Sequence, residues 1–390
     1  MRGYVPRRLA ELARERLDQF PVVAMLGARQ CGKTTLAKML ASERPGAVYI
    51  DLERRSDRNR LQDPEAFFDL HGDKLVCLDE IQRAPALFEE IRGQVDRRPM
   101  AGRFLVLGSA TRELIMQGAE TLAGRIAHLE LTPFRVEELS PGPSGSCSDR
   151  TRDLWLRGGF PRAFLARSQE ESVVWREEFM GTVLERDLPL LANTMDVERL
   201  SRLWQMLGHI HGGLLNLSSL GSSLGISHHT VRSWLGLMEK TFLVRLLSPF
   251  VTNAGKRLVK SPRVFLRDTG LLHALLGVQS QDDLLGHPVY GASWEGMVIE
   301  HAISALPRAR ASFYRTRAGA EIDLVLENGE KRIAIECKAS TAPTVGKGFW
   351  SALADIEPDA AFVVAPVTEA YPLKNGVTVL PLSDLADRLR

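Results

Sequence analysis

Hydrophobic positions along the chain fall into short runs set between amphipathic stretches. In the first third the pattern predicts strands over 22–26, 47–52, 74–79, 103–108 and 126–131. Between them it predicts helical stretches over 33–41, 57–70, 85–96 and 112–123. The strand runs are continuously apolar rather than alternating, as in strands covered on both faces. A parallel sheet wrapped by helices is therefore expected.

The pattern changes after residue 140. Pro141-Gly142-Pro143-Ser144-Gly145-Ser146 interrupts all periodicity and predicts an exposed loop. Residues 151–200 read as helices around a turn at Gly158-Gly159-Phe160-Pro161, in the position of a small lid, with Arg157 and Arg186 as phosphate sensors or solvated side chains. Leu217 to Leu224, the turn Gly225-Ile226-Ser227 and a second helix from His228 have helix–turn–helix spacing, with Met238 to Pro249 and 256–263 as a β-wing. Towards the C-terminus the pattern predicts a helix from Ala292, strands from Ala311, Glu321 and Lys331, a hairpin turn at Asn328-Gly329, a helix at 346–355 and a strand at 360–365. The domain division expected is 1–140, 141–200, 201–265 and 266–390.

Chemistry concentrates first at the end of the leading strand. Gly27-Ala28-Arg29-Gln30-Cys31-Gly32-Lys33-Thr34 has G-x-x-x-x-G-K-[ST] spacing, followed by Thr35 and a helix. Glycines let main-chain amides turn in around a phosphate, and the helix start adds its positive end. Lys33 would reach the outer phosphates and Thr34 would hold Mg²⁺. The run Leu75-Val76-Cys77-Leu78-Asp79-Glu80 places two acids at the carboxyl end of a buried strand: Asp79 for the metal, Glu80 for the attacking water. Ser109, with Thr111 second, ends the fourth strand and would orient that water or sense the γ-phosphate, or cap a helix. Arg125 would neutralise transferring charge on its own nucleotide or a neighbouring copy's, or form a structural ion pair.

This arrangement resembles the AAA+ superfamily. GARQCGKTTL, LVCLDEIQR, FLVLGSAT, LAGRI and LRGGFPRAF are similar to a bacterial and archaeal ATPase family that joins such a domain to a C-terminal domain of uncharacterised function. The resemblance implies ATP and Mg²⁺ as cofactors and ATP hydrolysis as the activity.

The tail carries a second constellation. With Asn328-Gly329 as a two-residue loop, Asp323 faces Ala334 and Glu321 faces Glu336, and Glu321, Asp323, Glu336 and Lys338 share one face. Carboxylates so crowded call for a cation between them, which suits a second Mg²⁺ or Mn²⁺ and a phosphodiester. The D-x(12)-E-x-K spacing resembles the restriction-endonuclease-like, PD-(D/E)XK superfamily. Glu295 matches its helix acid, with Glu300 in reserve, and Ile322 stands where the motif's name has proline. The fold class expected is thus α/β: an AAA+-like ATPase domain, a helical lid, a winged helix and a restriction-endonuclease-like domain.

Composition adds bounds. The 390 residues are 44% hydrophobic and 25% charged, ordinary for a soluble globular chain, and no apolar run is long enough for a membrane span. Cys31, Cys77, Cys147 and Cys337 form no C-x-x-C pair, so a reducing cytoplasm is expected, with Cys31 leaving the loop open to oxidation. The net charge of +2 hides a basic stretch: residues 201–270 hold nine Lys and Arg against Glu239 and Asp268. That points to a polyanion, DNA before RNA, met by His228, His229, Thr230, Arg232, Lys256 and Arg257. A homo-oligomer or a protein partner is also expected. The function these features favour is a nucleic-acid-directed Mg²⁺ ATPase. The alternatives are a metal-dependent nuclease gated by ATP, or a non-cleaving regulatory switch.

Overall fold

The structure, a computed structural model, describes residues 4–109, 122–139, 147–191, 196–250 and 259–390. Most of the helical stretch expected at 112–123 lies outside the described residues, as do Thr111, the 141–146 loop, Lys256 and Arg257. The chain divides into two compact units: residues 1–134 with 240–242, and residues 135–239 with 243–390.

In the first unit, helices α1 (Leu9–Gln19), α2 (Lys33–Ser42), α3 (Arg55–Arg60), α4 (Pro64–Leu70) and α5 (Leu87–Arg97) accompany strands β1 (Val22–Leu26), β2 (Val48–Asp51), β3 (Val76–Asp79), β4 (Phe104–Gly108) and β5 (Ile126–Glu130). The five strands form one parallel sheet in the order β2-β3-β4-β1-β5. Every residue of β1, β3 and β4 is buried, which is why their sequences run apolar without alternation. One expected helix is two: Asp63 ends the first by capping the second, accepting a 3.0 Å bond from the Ala66 amide, with Pro64 at its first position. β1 lies between β4 and β5, where the strand order reverses, so the loop after it opens into the crevice at the strands' carboxyl ends.

The second unit holds α6 (Cys147–Arg157), α7 (Pro161–Phe164), α8 (Gln169–Thr182), α9 (Val197–His209), α10 (Leu217–Leu224) and α11 (His228–Lys240). A two-stranded ribbon follows, β6 (Val244–Leu247) with β7 (Arg263–Leu266). Then come α12 (Thr269–Leu275), α13 (Gln281–Gly286), α14 (Tyr290–Ala305), β8 (Arg310–Arg315), β9 (Glu321–Asn328), β10 (Lys331–Cys337), α15 (Lys347–Ile356), β11 (Ala360–Val364), β12 (Tyr371–Pro372), β13 (Thr378–Leu380) and α16 (Leu382–Arg388). The six-stranded sheet has the order β12-β13-β11-β10-β9-β8, antiparallel from β8 to β10 and parallel from β10 through β11 to β13.

The hairpin register differs from expectation by two residues. Lys331 pairs with Asn328 and Ala334 with Val325, so the turn is Gly329-Glu330. Gly329 takes φ +63° at the first central position, where a two-residue turn of this kind requires glycine. A shift of two keeps the faces: Glu321, Asp323, Glu336 and Lys338 remain together, and continuing the pairing brings Glu336 opposite Asp323.

The segments expected as lid and tail interlock. The Asp268 carboxylate accepts from the amides of Leu271 (3.0 Å) and Gly159 (2.8 Å). A Cβ on Gly270 would stand 2.0 Å from the Arg157 carbonyl oxygen, so only glycine fits there. Buried Arg176 donates to the carbonyls of Leu156 and Gly270, binding α6, α8 and α12. Arg157 is taken up by Gln169 and the carbonyls of Phe164 and Ala166.

Candidate nucleotide site and the acid cluster of the tail

The loop after β1 has the backbone its sequence requires. Gly27 has φ +155°, and a Cβ there would lie 2.2 Å from the Leu131 carbonyl oxygen; Gly32 has φ +107° directly before α2. Lys33, only 5% exposed, donates 2.9 Å bonds to the carbonyls of Gly27 and Ala28, holding its ammonium against the loop. Cys31 is fully buried, with its thiol 3.2 Å from the Leu131 carbonyl oxygen. The thiol expected to lie open to oxidation is thus enclosed in the folded loop.

Thr34, Asp79, Glu80 and Ser109 are brought to the same edge. The Thr34 hydroxyl donates to Asp79 Oδ2 at 2.6 Å. A hydroxyl beside a carboxylate is an all-oxygen set of the kind a small hard cation prefers. Glu80 sits in the left-handed region at φ 57°, an unusual backbone for a glutamate, and accepts a 2.7 Å bond from the Ser109 hydroxyl. The Gln82 amide also donates to Glu80.

Sequence reasoning missed three neighbours. Tyr49 stands opposite Cys77 in the β2–β3 register, on the face that Asp79 shares two residues on, and its hydroxyl donates to Asp79. Burial, then the Asp79 carboxylate, push the phenol's pKa upward. Buried Arg7 donates to the carbonyls of Cys31 (2.9 Å) and Thr132 (2.5 Å), tying the loop to the chain after β5. Gln82 is the third. Strand parity pointed to Tyr49, whereas nothing local marks Arg7.

Arg125 is placed elsewhere. Ile126 pairs with Val22 and Glu130 with Leu26, so Arg125 lies at the amino end of the sheet, opposite the loop after Leu26. Four residues at about 3.3 Å each separate the two levels. Its guanidinium pairs with Asp96 at 2.8 Å. The expected reach to the chain's own nucleotide is thus corrected by register.

In the second unit, a short turn at 225–227 joins α10 to α11. Gly225 ends α10 at φ +65°, and the Ser227 hydroxyl accepts from the Thr230 amide at 3.1 Å. His228, His229 and Arg232 are exposed and Thr230 is half-buried. The basic stretch is less available than its charge suggests. Arg245 and Arg267 both pair with Glu300, whose side chain is 12% exposed and whose pKa falls to about 2 because these two guanidinium groups outweigh its desolvation. Arg202 pairs with Glu198. Glu300, held in reserve as the helix acid, is therefore structural.

Glu295, Asp323, Glu336 and Lys338 do come together, but with an arginine among them. Arg263 Nη1 and Nη2 lie 2.6 and 2.7 Å from the two Glu295 oxygens, and Nη1 lies 3.4 Å from Asp323 and 3.8 Å from Glu321. Its Nε donates to the Gly212 carbonyl at 2.6 Å. Lys338 pairs with Glu336 at 2.6 Å, and the Cys337 amide donates to Asp323 at 2.9 Å. Burial, then neighbouring Asp323, push the Glu336 carboxyl up to about 8. Among the described residues no group of three His, Cys, Asp or Glu is arranged to hold a metal ion. The second Mg²⁺ or Mn²⁺ expected here finds no support in this arrangement, in which the Arg263 guanidinium lies between Glu295 and Asp323.

Two proteins of similar sequence are described as uncharacterized: Rv2008c of Mycobacterium tuberculosis (strain ATCC 25618 / H37Rv) and Mb2031c of Mycobacterium bovis (strain ATCC BAA-935 / AF2122/97). Each is 38% identical over 380 residues, covering 97% of this chain and 84% of the relative. Residues 19–140 match the AAA domain family. The chain belongs to this family of AAA-domain proteins. Residues 148–282 match a domain of unknown function (DUF8612), and residues 290–385 another (DUF4143). The Walker-type ATPase PABY2304 of Pyrococcus abyssi superposes with a TM-score of 0.51 at 15% identity, covering 70% of this chain and 96% of that one, a likeness of fold. The family's loop is that of an ATP-binding ATPase. No helix among the described residues is long and apolar enough to cross a membrane.

Proposed function

We propose that the chain is a Mg²⁺-dependent ATPase whose nucleotide cycle drives a nucleic-acid-binding second unit. The observation that carries the ATPase part is the meeting of Thr34 with Asp79 beside the buried Lys33. The main-chain amides of the loop and the Lys33 ammonium would bind the triphosphate. Thr34 and Asp79 would hold the magnesium, with Tyr49 fixing the carboxylate. A bound Mg²⁺ would offset charge between the phosphates. Glu80, steadied by Ser109 and Gln82, would take the proton of the attacking water.

The nucleic-acid part rests on the exposed polar start of α11. A helix entering a major groove amino end first presents such positions to bases and phosphates. The cutting alternative has the closeness of Asp323, Glu336 and Lys338 in its favour, and the seat of Arg263 against it.

ATP affinity and phosphate release are the direct test. Lys33→Ala should lose ATP binding and turnover together. Glu80→Gln should keep binding while turnover drops roughly 100-fold. Unchanged hydrolysis in Lys33→Ala would refute the assignment.

A further inference from the structure

We propose that Arg263 is a built-in replacement for a metal ion, so that the tail's acid cluster takes no divalent cation.

Each nitrogen of the guanidinium faces an acceptor. Nη2 donates to Glu295 Oε2, Nη1 lies 2.6 Å from Glu295 Oε1 and faces Asp323 and Glu321, and Nε donates to the Gly212 carbonyl. The rings of Phe265 and Phe313 lie 5.3 and 5.8 Å from the guanidinium carbon. The side chain is only 7% exposed. An arginine cannot give up its proton in a protein, so the charge at this place is fixed. A lysine would fill the space with one point charge, whereas the planar fork matches the carboxylate.

Glu295 comes from α14 and Asp323 from β9, and the guanidinium stands between them. An incoming ion would have to break the Nη2 bond to Glu295, displace Nε from Gly212 and leave a fixed positive charge beside itself. Lys338 lies 2.6 Å from Glu336 on the same face. The cluster is thus already supplied with cations from within the chain, and the strand that brings Arg263 is β7 of the ribbon. The ribbon and the tail sheet are thereby joined through an ion pair.

If Arg263 stands for a metal, a metal should stand for Arg263. Removing the arginine leaves Glu295 buried without its partner, and a divalent ion is the natural substitute. The experiment is thermal unfolding of the full chain with EDTA or with millimolar Mn²⁺. Four forms are compared: wild type, Arg263→Met, Arg263→Met with Asp323→Asn, and Asp323→Asn alone. Mn²⁺ binding is counted by equilibrium dialysis on the same samples. The expected result is a low midpoint for Arg263→Met in EDTA, raised by several degrees with Mn²⁺, and one more bound ion than wild type. Both gains should vanish when Asp323→Asn is added. Wild type and Asp323→Asn should bind equal amounts of Mn²⁺. A form of Arg263→Met that folds only with Mn²⁺ supports the proposal equally. No Mn²⁺ effect on Arg263→Met overturns it, as does wild-type Mn²⁺ binding that Asp323→Asn removes. The ATPase assignment stands apart, because Lys33→Ala tests it without involving this cluster.

Discussion

The Thr34 hydroxyl and the Asp79 carboxylate lie 2.6 Å apart, joining the start of α2 to the end of β3 across 45 residues of chain. Tyr49 reaches the same carboxylate from β2. The candidate metal position is thus built from three separate elements, each fixed by the sheet. Asp79 is only 4% exposed, which limits its freedom to wander from that position.

Asp79→Asn should therefore weaken Mg²⁺-ATP binding roughly tenfold or more, by analogy with the loss of a metal-site partner. Binding of ATP in EDTA should change little, because Lys33 and the loop amides are untouched. Calorimetric titration of both forms, with and without Mg²⁺, checks this. Tyr49→Phe should show the same pattern in weaker form.

Arg125 offers a prediction of small effect. Its pair with Asp96 has both side chains about two-fifths exposed, 42% and 39%, so solvent screens it. Arg125→Ala should cost under about 1 kcal/mol of stability in denaturant unfolding. Turnover at dilute concentration should be unchanged, since the residue lies at the far end of β5. A concentration-dependent loss of turnover would instead reveal a neighbouring copy's site.

Acid should weaken the second unit through His273. Trp155 Nε1 donates to the Ser293 hydroxyl at 2.9 Å, and that hydroxyl lies 2.8 Å from His273 Nε2, while Nδ1 lies 3.0 Å from the Leu156 carbonyl oxygen. The Leu156 carbonyl can only accept, so Nδ1 carries the proton and Nε2 of the neutral ring accepts from the Ser293 hydroxyl, which itself accepts from Trp155. The chain is complete only with a neutral ring. Burial lowers the pKa of His273 to about 4, and that of His211 to about 3. The unfolded ring, near pKa 6.5, takes the proton first. The contribution is whole above about pH 6.5 and is lost as pH falls towards the folded values; by pH 5 the loss amounts to about 2 kcal/mol per histidine. His273→Gln has no such term, so the gap in melting temperature between it and wild type should narrow from pH 7.5 to pH 5. Glu336, raised to about 8, acts oppositely, its contribution fading as pH rises from its unfolded value, and it is common to both proteins.

The phosphate loop was legible because its chemistry is local. Gly27, Gly32, Lys33 and Thr34 lie within eight residues, and their spacing alone fixes what the backbone must do. The acids of β3 were legible because a buried strand that ends in two carboxylates has few other uses. Tyr49 was missed because its partner is on another strand, and register is set by the whole sheet. The hairpin turn was misplaced because Asn328-Gly329 and Gly329-Glu330 both put glycine in a two-residue loop, and pairing along eight residues of β9 decides between them. The parity of faces survived, so the four tail residues were still grouped correctly. Arg263 was counted only as one charge in a basic stretch. Its partner Glu295 is 32 positions away, and no periodicity links a ribbon strand to a distant helix.

The fit of Gly270 against Arg157, with Asp268 gripping the Gly159 amide, also governs how the protein can be taken apart. A fragment stopping before residue 268 would leave the Gly158-Gly159 knuckle without its clasp, and one starting there would strand a buried aspartate. Whoever wishes to study the tail alone must carry α6 through α8 along with it, for the two stretches are one mechanical joint written in two places.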